Sequence, residues 1–310
     1  MLAYLISAYR DPEHLARLIK ALDFNADFYV HIDANVDEAP FRAALPHKVK
    51  FVHRHAVNWG GWNQVAYQYE LVKAAVSSGC NYSHLVCLSA QDYPLWSNSQ
   101  IHAFFAEHAH EELMSGYNLT RGNSSIQRRK VTCVHPFRDL KWHNRWLRNK
   151  VIVASRTLLR YMGIRRPASV MLNGKRCDVF FGSDYWAITL ACARWILTTF
   201  DGETALQRYF STSFVPSEMC FQTIVFNSPF AAHALLHTGP YPGLSVLTPL
   251  HYIDYGACIK ELTTEDLPKL TERNKMFCRK VVTGKSDALA EAIDRLRAAD
   301  EAAHSSAAND

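Results

Sequence analysis

Residues 214–223 read Phe-Val-Pro-Ser-Glu-Met-Cys-Phe-Gln-Thr, so the carboxylate of Glu218 stands two residues after Pro216. Proline is tolerated in the first turn of a helix, where unpaired N–H groups and the helix dipole favour an ionised acid. Glu218 is therefore a candidate general base. The same stretch also reads as plain helix chemistry, with Ser217 or Glu218 capping a helix whose apolar face is Phe221, Ile224 and Val225. Two further carboxylates follow apolar runs of strand length: Asp33 comes after Tyr29-Val30-His31-Ile32, and Asp92 after Leu85-Val86-Cys87-Leu88-Ser89. Functional side chains of a parallel α/β sheet collect at the carboxyl ends of its strands, which would put both on one rim. Turn chemistry alone would also account for each.

The elements that must hold these acids follow from hydrophobic periodicity. Strand-length apolar runs at residues 2–7, 27–32, 49–52 and 84–88 alternate with helical patterns near 12–22 and 64–76, and Leu15, Leu18, Ile19 and Leu22 share one helical face. That alternation predicts βα units and a mainly parallel central sheet flanked by helices, in one α/β domain. A second block opens with a strand over 177–181. It continues through Gly182-Ser183-Asp184-Tyr185-Trp186 into a helix carrying Ile188, Cys192, Trp195 and Ile196, and adds a strand over 247–253. An Ala-rich helix with Leu289, Ile293 and Leu296 on one stripe closes the chain, and residues 302–310 are expected to fray.

The chain has 310 residues, 48% of them apolar, and a formal net charge of +5. Much of the charge lies in residues 121–176, where fifteen Lys or Arg face one acid, Asp139, with Phe137, Trp142, Trp146 and Tyr161 interleaved. A helix over about 142–162 would lay apolar residues on the core and turn a solvated basic face outward. An anionic acceptor or lipid head groups would also suit that block. Nucleic acid fits least, because no zinc-finger, RRM or helix-turn-helix signature accompanies the charge. The eight cysteines show neither CxxC nor zinc-type spacing, which fits reduced thiols. The amino-terminal apolar run is too short to span a bilayer and lacks the marks of a signal peptide, so a cytoplasmic location is expected. The Asn-x-Ser/Thr sites at Asn81, Asn118 and Asn123 are discounted accordingly.

Eight short motifs occur in a fixed order over about residues 2–285: Ala3-Tyr4-Leu5-Ile6, His31-Ile32-Asp33, Trp59-Gly60-Gly61, Leu88-Ser89-Ala90-Gln91-Asp92-Tyr93-Pro94-Leu95, Phe181-Gly182-Ser183-Asp184-Tyr185-Trp186, Pro216-Ser217-Glu218, His251-Tyr252-Ile253-Asp254 and Phe277-Cys278-Arg279-Lys280. In kind and order they resemble glycosyltransferase family 14, which holds the core-2/I-branching β-1,6-N-acetylglucosaminyltransferases, the peptide O-xylosyltransferases and bacterial relatives. The resemblance implies a GT-A-like, Rossmann-type nucleotide-sugar fold, a UDP-sugar donor, a glycan acceptor, inversion at the anomeric carbon, and neither a metal nor another cofactor. It implies a single domain over residues 1–300, with a nucleotide-binding half (1–120), the basic helical segment (121–176) and an acceptor and catalytic half (177–300), followed by a disordered tail (301–310).

Residue by residue, the resemblance makes Glu218 the catalytic base. It assigns Asp33, Asp92, His251, Arg279 and Lys280 to the donor side, with Asp33 near the uridine or ribose. Asp184, Trp186, Arg128 and Arg129 fall on the acceptor side. Trp186 would stack on a sugar ring or else pack in the core, and Asp184 would touch the acceptor or else cap the helix after it.

Metal-using GT-A relatives hold their ion with an Asp-x-Asp after a strand, and this chain has no Asp-x-Asp; its nearest approach, Asp201-Gly202-Glu203, follows a helix. A UDP leaving without a metal needs fixed cations, and the fork of Arg279 and the point charge of Lys280 suit that task. The expected reaction is a direct displacement: Glu218 takes a proton from an acceptor hydroxyl, whose oxygen attacks C1 opposite the departing UDP. His251 stands where many relatives carry an arginine. A protonated imidazole there would replace a phosphate contact and make activity fall above a pH of about 6.5 to 7.

Lack of an anchor, a stem and paired cysteines points to a bacterial-type enzyme of surface-glycan synthesis. N-acetylglucosamine or xylose would be the donor sugar. The acceptor would be an anionic or lipid-linked glycan, approached peripherally at the inner face of the cell membrane. The rivals are a non-catalytic glycan-binding protein that keeps the fold, a metal-dependent transferase using Asp33 and Asp92, and a nucleic-acid binder.

Overall fold

The computed structural model describes residues 1–141 and 144–307, apart from the side chains of 145 and 304–307; Trp142, the expected start of the basic helix, lies outside the described residues. Strand β1 (Leu2–Ala8) is buried on both faces, which is why it reads as an unbroken apolar run. Helix α1 (Pro12–Ala21) starts where the Asp11 carboxylate accepts from the His14 N–H at 3.1 Å, and it buries Leu15, Leu18 and Ile19. The chain continues through β2 (Ala26–Ile32), α2 (Ala39–Ala44), β3 (Lys50–Phe51), α3 (Asn63–Ser77), β4 (His84–Ser89) and β5 (Asp92–Pro94). Helix α4 (Asn98–Glu107) opens with a reciprocal capping box between Ser97 and Gln100. Then come β6 (Glu112–Asn118), α5 (Ser125–Thr132), α6 (Arg145–Tyr161), β7 (Ser169–Leu172), β8 (Lys175–Asp178), β9 (Phe180–Phe181) and β10 (Ala187–Thr189). The last elements are α7 (Leu190–Gly202), α8 (Thr204–Ser211), α9 (Cys220–Phe226), β11 (Ala234–His237), β12 (His251–Ile253), α10 (Leu267–Glu272), β13 (Phe277–Arg279) and α11 (Asp287–Ala307).

The main sheet has the order β11-β6-β10-β4-β1-β2-β3, with β9 added against β6. Pairs β4-β1, β1-β2 and β2-β3 are parallel, as the βα alternation predicts, whereas β10 runs antiparallel between β4 and β6. One face carries an apolar core built with α3, α7 and α9, and the other a core built with α1, α2 and α4. A second, three-stranded sheet, β12-β13-β5, packs under α11 through Tyr93, Cys278, Leu289 and Ile293.

Several expected elements differ. Residues 177–181 divide at Val179: β8 closes a hairpin with β7, and β9 pairs with β6. Ile188 belongs to strand β10, and the helix after it starts at Leu190 with Thr189 as its cap, accepting from the Cys192 N–H at 3.2 Å. Of residues 247–253 only the last three form a strand. Helix α11 extends to Ala307, past the expected boundary at 302, and residues 300 and 301 meet the start of α4, where the Ser99 N–H donates to Glu301 at 2.9 Å and Gln100 to Asp300 at 2.9 Å. No helix among the described residues is long and apolar enough to cross a membrane.

Candidate active site

The carboxyl ends of β1, β2 and β4 open on a cleft of about 570 Å³, reached by Ser7, Asp33 and Ser89. It lies where the chain order turns from β1 to β2 on one side and to β4 on the other, the usual ligand position in an open α/β sheet. Glu218, Asp184, Arg279 and Lys280 line the same cleft.

Glu218 ends a single 3-10 turn, Pro216–Glu218, immediately before α9, so it stands outside the helix rather than inside its first turn. Val215, the residue before that turn, holds left-handed backbone at φ 50°, which is strained for a β-branched side chain. The backbone is fixed there because the Phe214 N–H donates to the Lys130 carbonyl at 2.8 Å and the Val215 N–H to the Gly60 carbonyl at 3.2 Å. Below, the Gly182 N–H donates to the Glu218 carbonyl at 2.8 Å, and a Cβ at Gly182 would come within 2.2 Å of the Ser115 carbonyl oxygen. Three of the sequence motifs thus converge on one turn.

Burial dominates the Glu218 carboxyl and, with Asp184 nearby, raises its pKa to about 7 against the pull of Lys130. The helix field inferred from Pro216 does not prevail. Lys130, on α5, donates to Glu218 Oε2 at 3.4 Å, and its ammonium lies 3.7 Å from the centre of the Phe181 ring. Sequence reasoning missed it, taking the two arginines just before it instead.

Those arginines are elsewhere. Arg128 donates to the carbonyls of Leu119, Thr120 and Gly122, closing the loop between β6 and α5, and does not reach the cleft. Arg129 lines a separate groove beside α6. Trp186 is 1% exposed and packs edge-on against Phe221 in the main core, so no sugar can stack on it. The tryptophan that does reach the cleft, beside Tyr9, Tyr67, Tyr185 and Tyr255, is Trp59, 70% exposed and held edge-on by Phe214 at 5.1 Å. Its position follows from Gly60 and Gly61: a Cβ on Gly61 would lie 2.1 Å from Asp139 Oδ1. Asp139, the one acid of the basic block, accepts from the Trp62 and Asn63 N–H groups at 2.6 and 3.2 Å and so caps α3. Asp184 caps nothing. It precedes β10, accepts from Gln68 Nε2 at 3.2 Å, and burial raises its pKa.

Asp33 keeps its place at the end of β2, with Oδ1 accepting from the Asn35 and Val57 N–H groups at 2.9 and 3.1 Å. Asp92 does not. The chain turns back after β4, and Asp92 lies fully buried in β5, directly opposite Arg279 in the antiparallel pair β5-β13. Its Oδ1 accepts from Arg279 Nη1 at 2.9 Å, and its Oδ2 from the Ser89 N–H at 2.6 Å and His251 Nε2 at 3.2 Å. Asp92 therefore positions Arg279 and touches no donor. His251 is equally buried, stacked on Phe277 and against Tyr185, and its burial lowers the imidazole pKa despite Asp92. A neutral ring out of reach of the cleft cannot replace a phosphate-binding arginine. Arg279 Nε and Nη2 donate to no group among the described residues, and its guanidinium lies 5.4 Å over the Tyr185 ring. Lys280 lines the cleft, with burial lowering its pKa ahead of the repulsion from Arg279 and Arg10. Among the described residues no three His, Cys, Asp or Glu side chains converge as metal ligands.

A cleft at the carboxyl edge of a largely parallel sheet, here lined by an acid and a basic pair, is the usual ligand position of an open α/β fold. Residues 2–255 match the family model described as Core-2/I-branching enzyme, and the chain belongs to that family of glycosyltransferases. It is 24% identical to xylosyltransferase 2 of Rattus norvegicus over 237 residues and 24% identical to that of Mus musculus over 240, in each case 74% of this chain and 25% of the relative. The chain thus spans about a quarter of the length of these relatives. Among solved structures, apo mouse xyloside xylosyltransferase 1 aligns at 11% identity and a TM-score of 0.31, over 77% of this chain and 85% of that one.

Proposed function

We propose that the chain transfers a sugar from a UDP-sugar to a glycan hydroxyl in one inverting displacement that requires no divalent metal. The observation that carries this reading is the presence, in one cleft, of the half-buried Glu218 carboxyl, whose pKa desolvation raises to about 7, and the basic pair Arg279 and Lys280. Ionised Glu218 accepts the hydroxyl proton as the acceptor oxygen bonds to C1. The bond from C1 to the diphosphate oxygen breaks, its electron pair leaves with UDP, and the two cations stabilise that charge. A metal held by Asp33 and Asp92 is disfavoured because both Asp92 oxygens are already engaged.

Xylose is the donor sugar we favour first, because the curated relatives are named xylosyltransferases; N-acetylglucosamine stands beside it on the motif resemblance to glycosyltransferase family 14. Trp59 gives an acceptor or donor ring an exposed aromatic face. The proposed setting is the cytoplasm, in synthesis of a bacterial surface glycan, and cell fractionation tests it. UDP release from a panel of UDP-sugars in excess EDTA tests the chemistry: turnover with one donor is expected, and activity only on adding a divalent ion would overturn the metal-free mechanism.

A further inference from the structure

Helix α6 contains Arg145, Arg148, Lys150, Arg156 and Arg160 and no acid. A helix packed into a core would bury one broad stripe; here, among the described side chains of α6, only Ile152 is buried, with Arg148, Val151, Ser155 and Leu159 half-buried. At 100° per residue Trp146, Val153 and Tyr161 share the opposite face with Thr157 and with Lys150, whose ammonium lies 5.4 Å over the Trp146 ring; with the flanking Leu147 and Leu158, the five apolar residues are 42–91% exposed. Met162 and Ile164 extend the apolar patch beyond the helix end, at 62% and 41% exposed. Single exposed apolar residues are ordinary, but a contiguous set on one helix is not.

The flank of the same helix completes the pattern. Arg156 and Arg160 face Arg129 of α5 across a groove of about 640 Å³ that Tyr161 and Phe214 also line. None of these three guanidinium groups meets an acid among the described residues, and no acid lines the groove. At its base His135 is 7% exposed with neither ring nitrogen hydrogen-bonded. An apolar strip bearing Trp and Leu, bordered by unpaired arginines, is the arrangement of a helix lying in the interface of an anionic bilayer, with rings at the acyl boundary and guanidinium groups among the phosphates.

We infer that α6 docks the protein on an anionic membrane surface. Lys130 lines the groove and also contacts Glu218, so docking there brings the general base beside the lipid surface. Lipid-borne acceptors would be presented on that side. The docking itself does not depend on the proposed transfer reaction, and its test uses no turnover.

The full chain is sedimented with vesicles of phosphatidylcholine alone and of phosphatidylcholine with phosphatidylglycerol, at 0.1 and 0.5 M salt. The expected result is binding to the anionic vesicles only, weakened at least tenfold by the higher salt. Arg156→Glu/Arg160→Glu and, separately, Trp146→Ser/Leu158→Ser/Tyr161→Ser should each lower vesicle affinity at least tenfold with circular dichroism unchanged. Equal binding to neutral vesicles, no binding to anionic vesicles at 0.1 M salt, or a self-associated dimer that the Trp146 triple variant dissociates would overturn the inference. Folded variants that still bind as wild type would do the same.

Discussion

Glu218 has 21% of its side chain exposed and a pKa raised to about 7, and both properties have measurable consequences. A general base must be ionised, so kcat/KM should rise with pH and level off above about 7. No fall attributable to His251 should appear between pH 6.5 and 7.5, because that imidazole stays neutral and buried. Lys130 favours the ionised form of Glu218, so Lys130→Met should move the rise to higher pH and lower activity at neutrality. A profile unmoved by that substitution would mean the ammonium does not act on the carboxylate. Stability follows the opposite sign. Because the folded-state pKa lies above the ordinary 4.5, this group stabilises the fold fully below that value and loses its contribution as pH climbs through about 7. Glu218→Gln should therefore stabilise the protein at pH 8, by up to about 3 kcal/mol before solvent screening in the cleft, and hardly at pH 4. Thermal unfolding at the two values checks it. Glu218 was legible from the proline before it; Lys130 was not, since three consecutive basic residues on a helix point 100° apart and only packing against Phe181 selects one.

At the scale of elements, the strands that matter most to the basic pair were the hardest to read. β5 and β13 are three residues each, too short for a period-2 signal, and β5 begins at a residue that follows β4 as a turn acid would. Their antiparallel register places Asp92 against Arg279 and changes Asp92 from a donor contact into a buried counter-charge. Burial works against that charge, but Arg279 and His251 outweigh it and hold the carboxyl below its ordinary pKa. Its stabilising contribution is thus present above the ordinary carboxylate range and lost as pH falls through the folded value. Asp92→Asn leaves Arg279 buried without a counter-charge and should cost about 3 to 5 kcal/mol in denaturant unfolding. A loss under about 1 kcal/mol would show that solvent reaches the pair. The two tryptophans have the same lesson. Trp186 and Trp59 both lie in motifs, and only the glycines after Trp59, forced close to Phe214 and Asp139, expose its ring.

For the whole molecule, the parallel arrangement of β4, β1 and β2 was legible because strands buried on both faces give unbroken apolar runs. The antiparallel insertion of β10 was not, since Ala187-Ile188-Thr189 continues without a break into helical periodicity. What the assembled sheets achieve is to bring a turn held by Gly60 and Lys130 and a strand pinned by Asp92 to one cleft, from residues 61 positions apart at 218 and 279. Lys280, whose ammonium has no hydrogen-bond partner among the described residues, is the cation to remove without disturbing Asp92. Lys280→Ala should lower turnover by about 10²-fold with the melting temperature unchanged. Wild-type turnover in that variant would exclude it from stabilising the leaving group.

The most direct test of the proposed reaction is single-turnover transfer by Glu218→Gln with a saturating UDP-sugar and acceptor at pH 8. The arrangement of the cleft predicts a rate lower by about 10² to 10⁴ with UDP affinity preserved. A rate within a few-fold of wild type would show that the proton leaves the acceptor by another route and that Glu218 is not the base.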